Sequence, residues 1–120
     1  MFKIVESAKN NYIALLVEGL IDEHEFQKIK DLLEKTKNDL GKIKLLVEIK
    51  GVRGINAVQL LNDFQDFLLE SNLFDKVAII GWYEYEKEET TTSKEIIARE
   101  DIAFFDEKKR EKARKWVTST

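Results

Sequence analysis

Few groups in this sequence could make or break bonds. It has one histidine, His24, and no cysteine, which excludes a thiolate nucleophile, a thiolate zinc site, an iron–sulfur cluster and a disulfide framework in this chain. His24 sits in an Asp22-x-x-Glu25 string of the kind that opens a helix. A polar residue in an exposed first turn is ordinary, so His24 is read as solvent-facing. Glu84, Glu86, Glu88 and Glu89 are the ligand type that hard cations prefer. A run of like charges is ordinarily a solvated surface, and no metal is expected there. Gly51-x-x-Gly54 lacks the Lys-Ser/Thr pair that makes a glycine loop hold phosphate and magnesium. The chain is therefore expected to be non-enzymatic and to need no cofactor.

Charge offers a second kind of chemistry. The net charge is −3, which argues against a general nucleic-acid binder, but the distribution is uneven. Residues 61–107 carry four basic and thirteen acidic side chains, whereas residues 108–116 carry six basic ones and only Glu111. This run, Lys108-Lys109-Arg110-Glu111-Lys112-Ala113-Arg114-Lys115, is of a type that meets acidic partners or phosphate. Its plainer reading is the solvated face of an amphipathic terminal helix.

The elements that must position these groups follow from 120 residues, 43% of them hydrophobic and 36% charged, with no proline and only five glycines. That length supports one domain with a single core, and that apolar content excludes disorder. No apolar run approaches the roughly 18 residues of a membrane span, and Met1–Ser7 lacks the apolar stretch of a signal peptide. The expected location is the cytoplasm, without membrane insertion. Residues 2–6 alternate weakly, residues 8–11 are turn material, and residues 12–18 form a nearly continuous apolar run that predicts a strand buried on both faces and ended by Gly19. Asp22 then caps a helix whose apolar stripe is Phe26, Ile29, Leu32, Leu33 and Leu40, closed by Gly41. The cycle repeats. Residues 43–49 predict a strand ended by Gly51, a loop over Val52–Ile55, and a helix capped by Asn56 with a stripe at Ala57, Leu60, Leu61, Phe64, Phe67 and Leu68. Residues 77–80 predict a third buried strand, ended by Gly81. Residues 82–89 have no clear periodicity. Ser93 is expected to cap a short helix through Ile96 and Ile97, residues 102–105 to form a last strand, and Asp106 to cap a terminal helix with Ala113, Trp116 and Val117 inward. The order is ββαβαβαβα. It predicts an α/β fold with a mixed, mainly parallel five-stranded sheet, an antiparallel N-terminal strand and about four helices.

That order resembles the SpoIIAA-like proteins, a branch of the STAS and CRAL-TRIO fold group. The strings that carry the resemblance are Leu45-Leu46-Val47-Glu48-Ile49 leading to Gly54, Asp63 in the second helix, Lys76-Val77-Ala78-Ile79-Ile80-Gly81, and Phe104-Phe105-Asp106 before Lys112-Ala113-Arg114-Lys115-Trp116-Val117. The resemblance spans essentially the whole chain and implies a SpoIIAA-like/STAS-like domain over residues 1–120. Family members usually carry a Trp and basic residues after the fourth strand, whereas Trp82 here is followed by Tyr83 and an acidic stretch ending in Thr90-Thr91-Thr92-Ser93. In the related anti-anti-sigma factors a phosphorylatable Ser sits where a strand meets the next helix. The matching loop, Lys50-Gly51-Val52-Arg53-Gly54-Ile55-Asn56, has no Ser or Thr, so that switch is not expected.

If the central strands are parallel, Gly19, Gly51 and Gly81 share the carboxyl edge of the sheet, where open α/β folds place ligands. Around them stand Leu20, Ile21, Val52, Ile55, Trp82 and Tyr83, apolar in what should be polar loops, with Arg53 and Asn56 between. This rim has two readings. It recognises a protein partner or an apolar small molecule, with Arg53 available to an anionic group, or it folds back onto the helices as an upper core layer. The expected function is a binding module acting through protein contact or self-association. Carriage of an apolar, lipid-like molecule, as the CRAL-TRIO resemblance implies, is the alternative.

Overall fold

The computed structural model describes residues 1–7, 11–81 and 101–119 and the backbone of residues 96–99. Strand β1 (Phe2–Ser7) is followed by β2 (Tyr12–Leu20), helix α1 (Glu23–Leu40), β3 (Ile43–Arg53), α2 (Ala57–Glu70), β4 (Phe74–Ile80), β5 (Ile96–Arg99) and β6 (Ile102–Phe105). A single 3₁₀ turn (Glu107–Lys109) leads into α3 (Arg110–Thr118). The six strands lie in the order β1-β2-β3-β4-β6-β5. β2, β3, β4 and β6 run parallel, and the edge strands β1 and β5 are antiparallel.

The apolar runs are buried on both faces, as a parallel sheet requires. One face sends Leu15, Val17, Leu45, Val47, Val77 and Ile79 toward α1 and α2, which answer with Phe26, Ile29, Leu33, Leu60, Leu61, Phe64 and Leu68. The other sends Tyr12, Ala14, Leu46, Ala78, Ile80, Ala103 and Phe105 toward α3, whose Ala113 and Val117 are wholly buried and whose Trp116 packs partly buried beside them. Alternation along each strand produces this division. The alanines on the α3 side let a short helix with two buried residues cover its face.

Several local expectations meet corrections. The helix expected over Ile96 and Ile97 is strand β5, paired antiparallel with β6 through Ile96–Phe104 and Ile97–Ala103. Ser93 lies outside the described residues. The five expected strands are present and β5 is the sixth; three α-helices stand among the described residues. Leu32 and Leu40, expected on the buried stripe of α1, are exposed, because the stripe runs through Phe26, Ile29 and Leu33 and ends about two turns before Leu40.

Capping follows the sequence at two helices and departs from it at a third. The Asp22 carboxylate accepts the Glu25 backbone N–H at 2.8 Å, and Gly41 donates its N–H to Lys37 O at 2.8 Å. The Asp106 carboxylate accepts the Lys108 N–H at 2.8 Å, so it caps the 3₁₀ turn that enters α3. Asn56 stands at the start of α2 but makes no side-chain cap. Its backbone is left-handed, φ 65° and ψ 21°, which turns the side chain away from the helix N–H groups.

Candidate functional site

The parallel strands bring their carboxyl ends to one edge, but Gly19 and Gly51 do not end them. β2 continues to Leu20 and β3 to Arg53. Glu18 aligns with Lys50 and Leu20 with Arg53, so β3 carries one extra residue across this step. Gly19 takes φ 64° at the irregularity, a left-handed value that lets the strand bend and continue. The expected loop over Val52–Ile55 is thus half strand. It positions Leu20 and Arg53 side by side at the sheet's lip.

The chain then folds over its own end. The Ile21 N–H donates to Arg53 O at 3.2 Å, and the Ile21 side chain is 4% exposed. Gly54 has φ 133°, and a Cβ there would lie 3.2 Å from Ile21 O and 3.7 Å from a Leu20 methyl. Only glycine fits this crossing of two strand ends. The Asn56 carbonyl accepts the Leu60 N–H at 2.9 Å and so starts α2.

The rim therefore divides. Ile21 and Val52 fold back onto the core, Val52 half-buried among the residues of the α1/α2 side. Leu20 and Ile55 are 62% and 89% exposed, and Arg53 and Asn56 are exposed beside them. Trp82 and Tyr83 lie outside the described residues. Val58, which sequence reasoning passed over, adds a third exposed apolar side chain at 52%. A signal for it was present: the helical turn rotates Val58 off the buried stripe of Ala57, Leu60 and Leu61, so its apolar side chain had no core to enter.

Three depressions flank these residues, one of them, of about 290 Å³, lined by Asp22, Glu23, Ile55, Asn56, Gln59 and Asp63. An open groove of about 580 Å³ runs between Glu18, Leu20, Lys50 and Arg53. A cleft of about 250 Å³ is lined by Ile49, Val52, Ala57, Val58 and Leu61 and reaches Gly51 and Gly81. A larger groove of about 660 Å³, among Lys42, Ser71, Asp75, Lys76 and Asp101, lies at the opposite end of the strands. Lys76 is committed to helix α3 there, its Nζ donating to Trp116 O at 3.1 Å and Ser119 Oγ at 2.9 Å.

His24 is exposed in the first turn of α1. No cluster of three or more His, Cys, Asp or Glu side chains among the described residues could hold a metal ion, and Glu84, Glu86, Glu88 and Glu89 lie outside them. In the basic run, two arginines turn inward toward the sheet. Arg110 donates through Nε to Glu48 at 3.2 Å and pairs with it again through its terminal nitrogen. Arg114 donates to Glu6 at 3.3 and 2.6 Å and lies over the Tyr12 ring at 5.8 Å. The hydrogen bond from Arg114 holds the Glu6 carboxyl below its ordinary range, and burial raises the Tyr12 phenol above its own. Their carboxylate partners likewise raise both guanidinium groups. The run is the exposed face of α3, and its two arginines, each about half exposed, also bridge from that face to β3 and β1.

The sequence model of the SpoIIAA-like family matches residues 12–118, from the first buried strand to the last helix. The chain belongs to the SpoIIAA-like family. A crystal structure of an uncharacterized protein from the DUF3478 family with a SpoIIAA-like fold, from Shewanella loihica PV-4, superposes with a TM-score of 0.53. It is 19% identical, and the match covers 98% of this chain and 92% of that one. At that identity the likeness is one of fold. No curated protein matches the sequence. Within this SpoIIAA-like chain, the strand-to-helix connection over residues 50–56 has neither Ser nor Thr; Gly54 and left-handed Asn56 shape it instead. No helix among the described residues is long and apolar enough to cross a membrane.

Proposed function

We propose that this SpoIIAA-like chain is a non-catalytic binding module that recognises a protein partner in the cytoplasm through the carboxyl-edge rim. The observation that carries the reading is the group Leu20, Ile55 and Val58, three large apolar side chains at least half exposed beside the exposed Arg53. Each stands on a fixed frame: the β2–β3 lip holds Leu20 and Arg53, and the first turn of α2 and its entry hold Val58 and Ile55. Apolar anchors with an arginine are the residue types that dominate protein interfaces. Ile55 stands beside Asn56 in a depression shared with Asp22, Gln59 and Asp63, polar groups that can orient a partner around an apolar anchor. The net charge of −3 favours a protein over a nucleic acid.

A second reading, an apolar small molecule, draws support from the cleft beneath Val58 and its apolar lining. At about 250 Å³, the cleft falls just short of the roughly 300 Å³ at which ligand pockets usually begin. A photo-crosslinking residue at position 55, compared with one at exposed Lys35 on α1, tests the first reading in cells. The expected result is a discrete protein adduct from position 55 that is lost when Leu20 and Val58 are replaced by Ser. Absence of such an adduct, together with a small apolar mass retained in native mass spectrometry, would give the second reading the site.

A further inference from the structure

The sheet ends on one side in β1, and among the described residues no strand lies beyond it. An edge strand presents the backbone groups its one neighbour does not use. Met1 and Glu18 form a mutually bonded pair: the Glu18 N–H donates to Met1 O at 2.9 Å, and the Met1 amino group donates to Glu18 O. Bonded and non-bonded pairs alternate along an antiparallel ladder. Lys3 and Leu16 are then the next bonded pair. Phe2 and Ile4, opposite Val17 and Leu15, direct their backbone N–H and C=O groups outward.

The side chains of β1 have an arrangement that its irregularity creates. In a regular strand Lys3 and Glu6, three apart, would point to opposite faces. Here the register shifts between Ile4 and Glu6, so Lys3 aligns with Leu16 and Glu6 with Ala14. Leu16 and Ala14 are two apart on β2, which puts Lys3 and Glu6 on one face, the face covered by α3. Lys3 is exposed, and on the opposite face Ile4 is 37% exposed, with Val5 at the irregularity 55% exposed.

We propose that β1 pairs antiparallel with β1 of a second copy of this chain, about a two-fold axis at Ile4, so that one sheet runs through a dimer. With the irregularity counted as one step, this axis sets Ile4 against Ile4 of the second copy and Lys3 against its Glu6, and symmetry repeats the Lys–Glu pair. The neighbouring registers lack this match. An axis at Lys3 opposes the two lysines, and an axis at Glu6 opposes the two glutamates, and like charges directly opposite destabilise a strand pair. The extra residue in β1 thus makes the edge complementary to itself in one register. A contact confined to a six-residue strand buries little surface, so the association is concentration-dependent. It uses neither Ile55 nor Val58, and it stands or falls separately from the rim.

Sedimentation velocity from about 1 μM to about 1 mM, a range that brackets a weak dissociation constant, tests the pairing. The wild-type chain is expected to pass from monomer to dimer, and Ile55→Ser to behave identically. Ile4→Pro removes an outward N–H without touching the ladder to β2 and is expected to remain monomeric. Lys3→Glu opposes like charges twice and should raise the dissociation constant about tenfold or more. Glu6 also holds Arg114 of α3 and is left in place; Lys3→Gln, which removes the pairing charge without adding repulsion, should fall between wild type and Lys3→Glu. Thermal melts of each variant confirm folding, and the exposed Lys3→Glu change decides the matter if Ile4→Pro does not fold. A monomer at the highest concentration, a dimer indifferent to Ile4→Pro and Lys3→Glu, or a Lys3→Gln variant that associates more weakly than Lys3→Glu would overturn the proposal.

Discussion

Ile21 and Ile55 are the same residue type at the same end of the sheet, and their surroundings differ completely, 4% against 89% exposed. Ile21→Ala removes packed methylenes and is expected to cost about 2–5 kcal/mol. Ile55→Ser removes nothing that the core touches, and its effect should stay within about 0.5 kcal/mol. Urea denaturation of the two variants measures the contrast. An Ile55 variant as unstable as the Ile21 one would move Ile55 into the core and strip the rim of its most exposed side chain. Glu6 permits a second test at this scale. Its ordinary value is 4.5, and Arg114 lowers it in the folded protein. A lowered carboxyl contributes stability above its unfolded value and loses that contribution as pH falls through the folded value. Glu6→Gln should therefore be less stable than wild type at neutral pH, and the gap should close as the pH drops below 4.5. A gap that persists at low pH would mean that the Gln variant loses packing and not charge.

At the level of elements, the crossing of the β2 and β3 ends depends on Gly54. Gly54→Ala must hold φ at 133° and bring Cβ to 3.2 Å from the Ile21 carbonyl, whereas Gly19→Ala, at φ 64°, meets nothing within 4 Å. The expected costs are about 2–3 kcal/mol for Gly54→Ala and about 1 kcal/mol for Gly19→Ala. Denaturation midpoints that reverse this order would remove the close crossing as the reason for Gly54. The same region shows what a sequence conveys and what it leaves open. The continuous apolar runs of β2, β3 and β4 and the stripe of α2 are local patterns, and each became the expected element. A glycine after such a run has two outcomes, a stop or a bend, and pairing with the next strand decides between them; at Gly19 and Gly51 the bend prevailed. β5 was missed for a related reason. Ser93 reads as the cap of a short helix through Ile96 and Ile97; β-branched residues in fact favour a strand, and the ladder to β6 that decides it is not a local signal. Burial of the rim was equally illegible: Ile21 turns inward because its N–H meets Arg53 O, a contact between residues 32 positions apart in sequence.

For the molecule as a whole, the α1/α2 side of the sheet is joined by a chain of phenylalanines that has no counterpart on the α3 side among the described residues. Phe64 is wholly buried and lies 5.8 Å from Phe2 of β1 and 5.7 Å from Phe26 of α1, both edge-on. It stacks at 6.5 Å on Phe67, which meets Phe74 of β4 at 6.0 Å. Five rings thus link an edge strand, both helices and an inner strand. Phe64→Ala is expected to cost about 3–5 kcal/mol, a large part of the roughly 5–15 kcal/mol that holds a domain folded. Phe64→Leu keeps most of the volume and should cost less than about 1.5 kcal/mol. The whole-molecule content of the prediction is where the loss appears. Among the described residues β1 has one strand neighbour, and Phe2 is its anchor to α1 and α2, so loosening Phe64 should release β1 together with α2. Amide exchange in the Phe64→Ala protein should accelerate in β1 and β2 as well as in α2, while Val117→Ala, on the other face, should leave β1 protection nearer to its wild-type level. Acceleration confined to α2 would show that the rings are neighbours without being coupled, and the edge strand would then owe its position to the β2 ladder and to the Glu6–Arg114 pair.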